Sequence, residues 1–351
     1  MTQNDATRPA IRCNSVWQVF GSGARDHLDK ALTQTGHDAE AAAQSLRGLR
    51  LVPAVQDATF DVQSGELFVI MGLSGSGKST LIRCISRLIE ATGGEILIDG
   101  DNILEASKSR MTELRRGKLG MVFQHFGLFP HMTVAENVAF PLKMQGRAKA
   151  DRVERAHEVL ELVGLAGREK AYPRELSGGQ RQRVGIARSL AANPDIWFLD
   201  EPFSALDPLI RRQLQDEFVE IQARLKKSIV FITHDIAEAL KIADRIAIMR
   251  DGKIVQIGTP AEIVLNPVDD YVREFSKDVA KGRHARVQSV MRPVNGVIPD
   301  GPALRQDMTL EAALATCIAK YAPVPVHDAG GNLIGTVDPS DLASALQAED
   351  P

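Results

Sequence analysis

The stretch Gly72-Leu73-Ser74-Gly75-Ser76-Gly77-Lys78-Ser79-Thr80 constrains this chain more than any other, because it lies between the apolar run Leu67 to Met71 and the amphipathic segment Thr80 to Ile85. That order predicts a strand, a glycine loop and a helix. Such a loop turns sharply and leaves backbone N–H groups unpaired; glycine permits the angles, and the helix start adds the positive end of a dipole. Gly72, Ser74, Gly75, Ser76, Gly77 and Thr80 therefore build a nest for phosphates. Lys78 is the mobile charge that reaches the β- and γ-phosphates of ATP, and the Ser79 hydroxyl is placed to ligate Mg²⁺.

At 351 residues, 44% hydrophobic and 25% charged, the chain has the composition of a soluble globular protein with one large domain and a smaller one. The net charge of −3, with no block rich in Lys or Arg, argues against nucleic acid as the principal partner. Cys13, Cys84 and Cys317 are odd in number and lack metal-ligand spacing, as in a reduced cytoplasmic protein. They read as small hydrophobes. No apolar run approaches the roughly 18 residues of a membrane span, and Met1 to Asp5 has no signal-peptide pattern. The chain is therefore expected to reach a membrane only by docking on another protein.

Residues 11 to 20 predict an edge strand. The Ala- and Leu-rich stretches His27 to Gln34 and Asp38 to Leu49 keep helical spacing between strand-like segments and read as an insertion. Strands are expected at Val55 to Val62, Leu67 to Met71 and Glu95 to Gly100. From Leu128 to Ala171 the pattern is helical, with breaks expected at Pro130, Pro141, Gly146 and Gly164. Ser177 caps a helix that Asn193-Pro194 stops. Buried strands follow at Ile196 to Leu199 and Ile229 to Ile232, and Asp251-Gly252 signals a hairpin between Arg245 to Met249 and Lys253 to Ile257. The fold class is α/β, with a mostly helical subdomain set into the core. Beyond Pro299-Asp300-Gly301-Pro302 the tail predicts a helix at Leu310 to Ile318, strands at Val324 to Val326 and Leu333 to Val337, and a helix at Pro339 to Gln347.

Asp200 ends an apolar strand, where its carboxylate can hold Mg²⁺, and Glu201 beside it can polarise the water that attacks the γ-phosphate. His234 ends a later strand as a γ-phosphate sensor, and Gln124 ends another, within reach of both Mg²⁺ and the attacking water. Ser177-Gly178-Gly179-Gln180 opens a second helix whose glycine-stripped first turn can accept phosphate, and a structural cap alone would not need two glycines. The economical reading is that this helix end contacts ATP held by another copy, which makes a head-to-tail homodimer with two composite sites.

The order of the phosphate loop, Gln124, Leu176-Ser177-Gly178-Gly179-Gln180, Ile196 to Glu201, Ser204-Ala205-Leu206-Asp207 and His234 resembles an ATP-binding cassette (ABC) ATPase across residues 11 to about 275. The resemblance implies a P-loop NTPase domain over 1–276, with a helical insertion at about 24–50, a helical subdomain at about 125–178, and a linker at 277–290. It further implies that Phe20 stacks on adenine, that Asp207 lies in a loop crossing the dimer, and that the segment from Gln124 to Pro130 receives a helix of a transmembrane permease. The insertion, Ile70 to Gly77, Pro130 to Val134 and Ala205 to Arg211 resemble the importer branch for glycine betaine, proline betaine and choline. That branch implies an ATP-hydrolysing subunit at the cytoplasmic face of the cell membrane, powering import of a quaternary amine that an extracytoplasmic binding protein delivers to the permease.

Residues 291–351 form the expected small α+β domain. Val324 to Asp328, Leu333 to Gly335 and Asp341-Leu342 are similar to one cystathionine-β-synthase (CBS) motif, which relatives carry in tandem. In nucleotide-binding examples Asp341 would match the ribose ligand, but Asp338 stands where a phosphate-binding Ser or Thr is usual, and an acid repels phosphate. Two other functions fit the same catalytic residues: an importer ATPase for amino acids, polyamines or another small solute, and a soluble cassette ATPase acting on ribosomes or DNA. The second usually carries paired cassettes or long coiled-coil insertions, and this chain has one phosphate loop and neither.

Overall fold

The computed structural model describes residues 8–124, 127–204, 206–276, 286–294, 303–310, 312–313, 323–338 and 341–342. The chain divides into two units, 1–238 with 247–254, and 239–246 with 255–351. In chain order the elements are β1 (Ile11–Phe20), α1 (Ala24–Gln34), α2 (Ala39–Gly48), β2 (Val52–Val62), β3 (Leu67–Met71), α3 (Lys78–Ile85), β4 (Gly93–Ile98) and β5 (Asp101–Asn102). Next come α4 (Lys108–Gly117), β6 (Leu119–Val122), α5 (Val134–Met144), α6 (Lys149–Leu162), α7 (Gly178–Ala191), β7 (Ile196–Asp200), α8 (Pro208–Leu225), β8 (Ser228–Thr233), α9 (Ile236–Ile242), β9 (Arg245–Arg250) and β10 (Lys253–Gly258). The remainder is α10 (Pro260–Leu265), α11 (Asp270–Ser276), β11 (Leu304–Arg305), β12 (Val324–His327) and β13 (Leu333–Val337).

The core sheet has the order β10-β9-β3-β8-β7-β6. Its strands β3, β8, β7 and β6 pair in parallel. Helices cover both faces of such a sheet, so its strands are apolar along their whole length. β3, β7 and β8 are accordingly buried at every residue. Parallel pairing also brings the C-terminal ends of these strands to one edge, where Met71, Asp200 and Thr233 lead into the segments of Ser74 to Lys78, Glu201 and His234. Trp197 in β7 is buried, and its indole N–H donates to the Ser189 hydroxyl of α7 at 2.7 Å. A second sheet, β2-β1-β4-β5, is antiparallel and broken by bulges in β1.

The insertion is a pair of helices with a core of its own. Leu28, Ala31, Ala42, Ala43 and Leu46 pack with Trp17, Val19 and Leu51. Asp38 caps α2 by accepting from the Ala41 amide at 2.9 Å. The hairpin between β9 and β10 turns through Asp251 and Gly252, both at positive φ (52° and 86°), the geometry that matches strand twist.

Pro141 lies inside α5 rather than ending it. The missing amide forfeits one helical bond, but Val134, Val138 and Leu142 are fully buried on the face that packs against α6 and α7, and that burial carries the helix past the proline. Three helices had no place in the sequence reading, α9 and two with clear caps: α4, capped by Ser107, and α8, capped by Asp207 with Pro208 in its first turn. The two capped helices carried a legible start signal.

In the second unit β11 pairs parallel with β12, which pairs antiparallel with β13. Val287, Leu304, Leu310, Val324, Val326 and Val337 form its core. The predicted helices at Leu310 to Ile318 and Pro339 to Gln347, Cys317, and most of the predicted linker lie largely outside the described residues. Among the described residues no helix is long and apolar enough to cross a membrane.

Leu46 is fully buried in the insertion core. Leu46→Ala is expected to lower unfolding free energy by about 3 kcal/mol in urea titrations. Glu238 on α9 is buried, and burial raises its carboxyl above the usual range even though the Gln215 amide donates to it at 2.9 Å. A raised folded value means that stability from this group is full below the unfolded carboxyl range and is lost as pH rises through the folded value. Glu238→Gln should therefore raise the melting temperature at pH 7, with the gain shrinking toward pH 4 in scanning calorimetry.

Candidate functional site

The loop between β3 and α3 is held by backbone from behind. Gly72 has φ 152°, and a Cβ there would stand 2.2 Å from the Met249 carbonyl oxygen; Gly77 has φ 99°, and a Cβ there would stand 2.3 Å from that of Ala54. No side chain fits at either place. A Cβ on Gly75 would meet nothing within 4 Å, because that residue faces the open side. α3 begins at Lys78 with no side-chain cap, so its first amides stay available to an anion. The Ser76 hydroxyl is buried with no hydrogen-bond partner, a further donor inside the loop.

A cleft of about 550 Å³ opens above this loop. Its walls come from Leu73, Ser74, Gly75, Gly77, Lys78, Ser79 and Thr80, joined by Ala54 of β2, Gln124, Glu201 and His234. Four separate chain segments, predicted from the sequence to share one chemistry, thus meet in one place. The Lys78 ammonium donates to the Gly72 and Leu73 carbonyls at 2.8 and 3.0 Å. Burial lowers its affinity for the proton, opposed by the negative charge of Glu201 and Asp200. The Ser79 hydroxyl donates to Asp200 Oδ1 at 2.9 Å.

Asp200 is 2% exposed, and burial raises its carboxyl above the ordinary range, offset by the Ser79 hydrogen bond and by the Arg83 guanidinium 3.6 Å away. Glu201, next in sequence, has φ 46°, a left-handed conformation that is uncommon and costly for a residue with a Cβ. Its Oε2 lies 3.4 Å from the Gln124 amide nitrogen and 3.2 Å from His234 Nδ1. One carboxylate oxygen thus serves as the meeting point of two other loops.

Ser177, Gly178, Gly179 and Gln180 open α7 and do not line this cleft. Ser177 Oγ accepts from the Gln180 amide at 3.3 Å, while Gln180 Oε1 accepts from the Ser177 amide at 3.0 Å, a complete capping box. One of the two glycines has a structural reason that the sequence reading had denied the pair: a Cβ on Gly179 would stand 2.8 Å from Ile210 Cγ2 of α8, whereas one on Gly178 would make an ordinary contact at 3.7 Å with Leu206. Asp207 caps α8 by accepting from the Ile210 amide at 3.1 Å and is exposed. Phe20, at the end of β1, is 42% exposed and sits opposite Val52 in the register of β1 and β2; Ala54, two residues along from Val52, lines the cleft.

Two site residues escaped the sequence reading. Arg83 lies four residues after Ser79 on the same helical face, which is the spacing that takes it to Asp200. Ala54 has no chemistry to mark it and enters through its backbone.

Residues 55–204 match the ABC transporter family. The trimethylamine N-oxide transport system ATP-binding protein TmoW of Pelagibacter ubique is 49% identical over 95% of this chain and 96% of its own length. TmoW of Ruegeria pomeroyi is 52% identical over 94% and 95%, and the glycine betaine/proline betaine transport system ATP-binding protein ProV of Salmonella typhimurium 50% identical over 96% and 82%. Among solved structures, a dimeric, post-hydrolysis state of the ATP-binding cassette MJ0796 bound to ADP and Pi aligns with a TM-score of 0.60 at 31% identity, covering 71% of this chain and 98% of that one. With the phosphate loop, Glu201, Gln124 and His234 in one cleft and Asp200 buried behind Ser79, the chain belongs to the ATP-binding proteins of the ABC transporter family.

Proposed function

We propose that this chain hydrolyses ATP to drive import of a small N-methylated amine, a quaternary amine such as glycine betaine, proline betaine, choline or carnitine, or trimethylamine N-oxide, through a separate permease. The observation that carries the proposal is the cleft in which Glu201, Gln124 and His234 converge beside Lys78 and Ser79. In this reading Lys78 exchanges its bonds to the Gly72 and Leu73 carbonyls for the β- and γ-phosphates, and the loop amides with the Ser74 hydroxyl take the remaining phosphate oxygens. Glu201 accepts a proton from the water that attacks the γ-phosphate, Gln124 orients that water, and His234 steadies the γ-phosphate.

The donors around Asp200 suit Mg²⁺. A hydroxyl and a carboxylate oxygen 2.9 Å apart are hard ligands of the kind it takes, and the buried Asp200 carboxylate lacks full compensation for its charge. Ser79, Asp200 and the Gln124 carbonyl would hold the ion, which when bound offsets charge on the β- and γ-phosphates.

Ser177, Gly178, Gly179 and Gln180 would complete the site of a second copy, with Asp207 at the same face, giving a head-to-tail homodimer. Their position outside their own chain's cleft and the dimer formed by the solved relative support this. Phe20 would stack on adenine, supported by its exposure on the strand next to Ala54. The cassette is read as 1–276, with a linker at 277–290 and a single CBS-like motif at 291–351. Asp341 in that tail is paired with Arg292 at 2.5 Å, which favours a packing role over a ribose ligand. The permease, which receives the solute from a binding protein, would hold the chain at the cytoplasmic face of the membrane.

The relatives' names widen the solute class beyond the quaternary amines of the sequence reading to include trimethylamine N-oxide. That compound, glycine betaine and choline share a trimethylated nitrogen, and selection among them belongs to the other subunits. ATPase activity should be measured with the permease and binding protein reconstituted in liposomes. Stimulation is expected from trimethylamine N-oxide, glycine betaine, choline or carnitine; stimulation by an unrelated amino acid alone would sink the solute class while leaving the ATPase intact. Glu201→Gln is expected to retain ATP and lower kcat at least about 100-fold, with the dimer persisting in size-exclusion chromatography. Normal turnover in that variant would remove Glu201 from its role.

A further inference from the structure

Behind the phosphate loop lies a layer of backbone and one buried side chain that take no part in the chemistry above. The Gly252 amide donates to the Ser76 carbonyl at 3.0 Å, and the Gly252 carbonyl accepts from the Gln56 amide at 2.8 Å. A Cβ on Gly77 would stand 3.4 Å from Gly252 Cα as well as against the Ala54 carbonyl. Strand β2, the turn between β9 and β10, and Ser76 and Gly77, the second and third residues of the Gly-Ser-Gly-Lys run, are thus stacked backbone on backbone.

Gln56 locks this stack. It is 2% exposed, and its side-chain amide donates to the Asp251 carbonyl at 2.5 Å and to the Pro53 carbonyl at 3.2 Å. Its Oε1 is buried without a partner. An amide kept in the core at the cost of one unpaired acceptor is held there for what its donors do. Here they fix the turn at positive φ through Asp251, and so fix the Gly252 amide that grips Ser76. The loop in turn keeps its other amides turned to the cleft.

We infer that Gln56 is a positioning residue for nucleotide binding, acting through the Asp251–Gly252 turn to hold Ser76 and Gly77 in their phosphate-accepting shape. The inference rests on the reading of this cleft as an ATP site. It separates from that reading because Gln56 does not line the cleft and lies on β2, outside the loop.

Gln56→Met keeps the volume and removes the unpaired acceptor together with the donors; the first gain offsets part of the cost of leaving the Asp251 and Pro53 carbonyls without that donor, while the grip on Asp251 is lost. Titration of the purified full chain with a fluorescent ATP analogue should show Kd raised about fivefold to tenfold, with the melting temperature of the nucleotide-free chain within a few degrees of the wild type. An unchanged Kd overturns the inference. Should the variant fail to fold, hydrogen exchange on the unmodified chain decides: saturating ATP is expected to slow exchange of the Gly252 amide, and exchange there that ignores ATP overturns the inference. Wild type and Lys78→Ala serve as controls. If the wild type binds ATP and Lys78→Ala does not, an unchanged Gln56→Met refutes the positioning role alone; if the wild type binds no ATP, the reading of the cleft falls with it.

Discussion

A phosphate loop has to be rigid while leaving its own hydrogen-bond donors unsatisfied. Those demands conflict, since backbone amides left free usually mean a mobile segment. In this chain the conflict is resolved from behind: the carbonyls of Met249 and Ala54 press so closely on Gly72 and Gly77 that only glycine fits. Contact is made along the back of the loop, and its front stays open at Gly75 and at the uncapped start of α3. The arrangement depends on the neighbouring strands β9 and β2 arriving at the loop with bare backbone, so the sheets exist in the order that delivers them.

The paired acids show a second use of unusual backbone. Successive residues of a strand point to opposite faces, so Asp200 and Glu201 would diverge if β7 simply continued. The left-handed φ of Glu201 ends the alternation, so that Glu201 lines the cleft while Asp200 stays buried and meets it only through Ser79. Asp200 is buried against Ser79 and Arg83, whereas Glu201 faces Gln124 and His234. Adjacent residues of one chemical type thereby acquire separate tasks through the environment each is given.

Much of this was legible before any coordinates. Buried parallel strands announce themselves as unbroken apolar runs, so β3, β7 and β8 were predicted nearly to their ends, and the candidate residues Asp200, Glu201 and His234 were placed at those ends with them. The Asp251-Gly252 turn was readable because few residues tolerate its backbone. Less legible was whatever depends on contacts distant in sequence. Pro141 was expected to break a helix that tertiary packing sustains, and the packing of Gly179 against Ile210 of α8, where a Cβ would stand 2.8 Å from Cγ2, left no trace in the sequence. Ala54 and Gln56 carry no pattern at all, since their parts are played through carbonyls and a buried amide whose partners lie about 200 residues away in sequence for Gln56 and Asp251.

The chain contains two tryptophans, and both are buried. Trp17 belongs to the core of the helical insertion, while Trp197 stands three residues before Asp200 on the strand that delivers the acids, its indole bonded to Ser189. Each indole therefore samples a different part of the cassette from a dry, fixed surrounding. The molecule carries two intrinsic optical reporters: the emission of Trp197 follows the strand beneath the catalytic edge, and that of Trp17 follows the insertion. Replacing either with phenylalanine leaves a single-colour probe of the other, so events at the chemistry and at the insertion can be timed separately without attaching a dye.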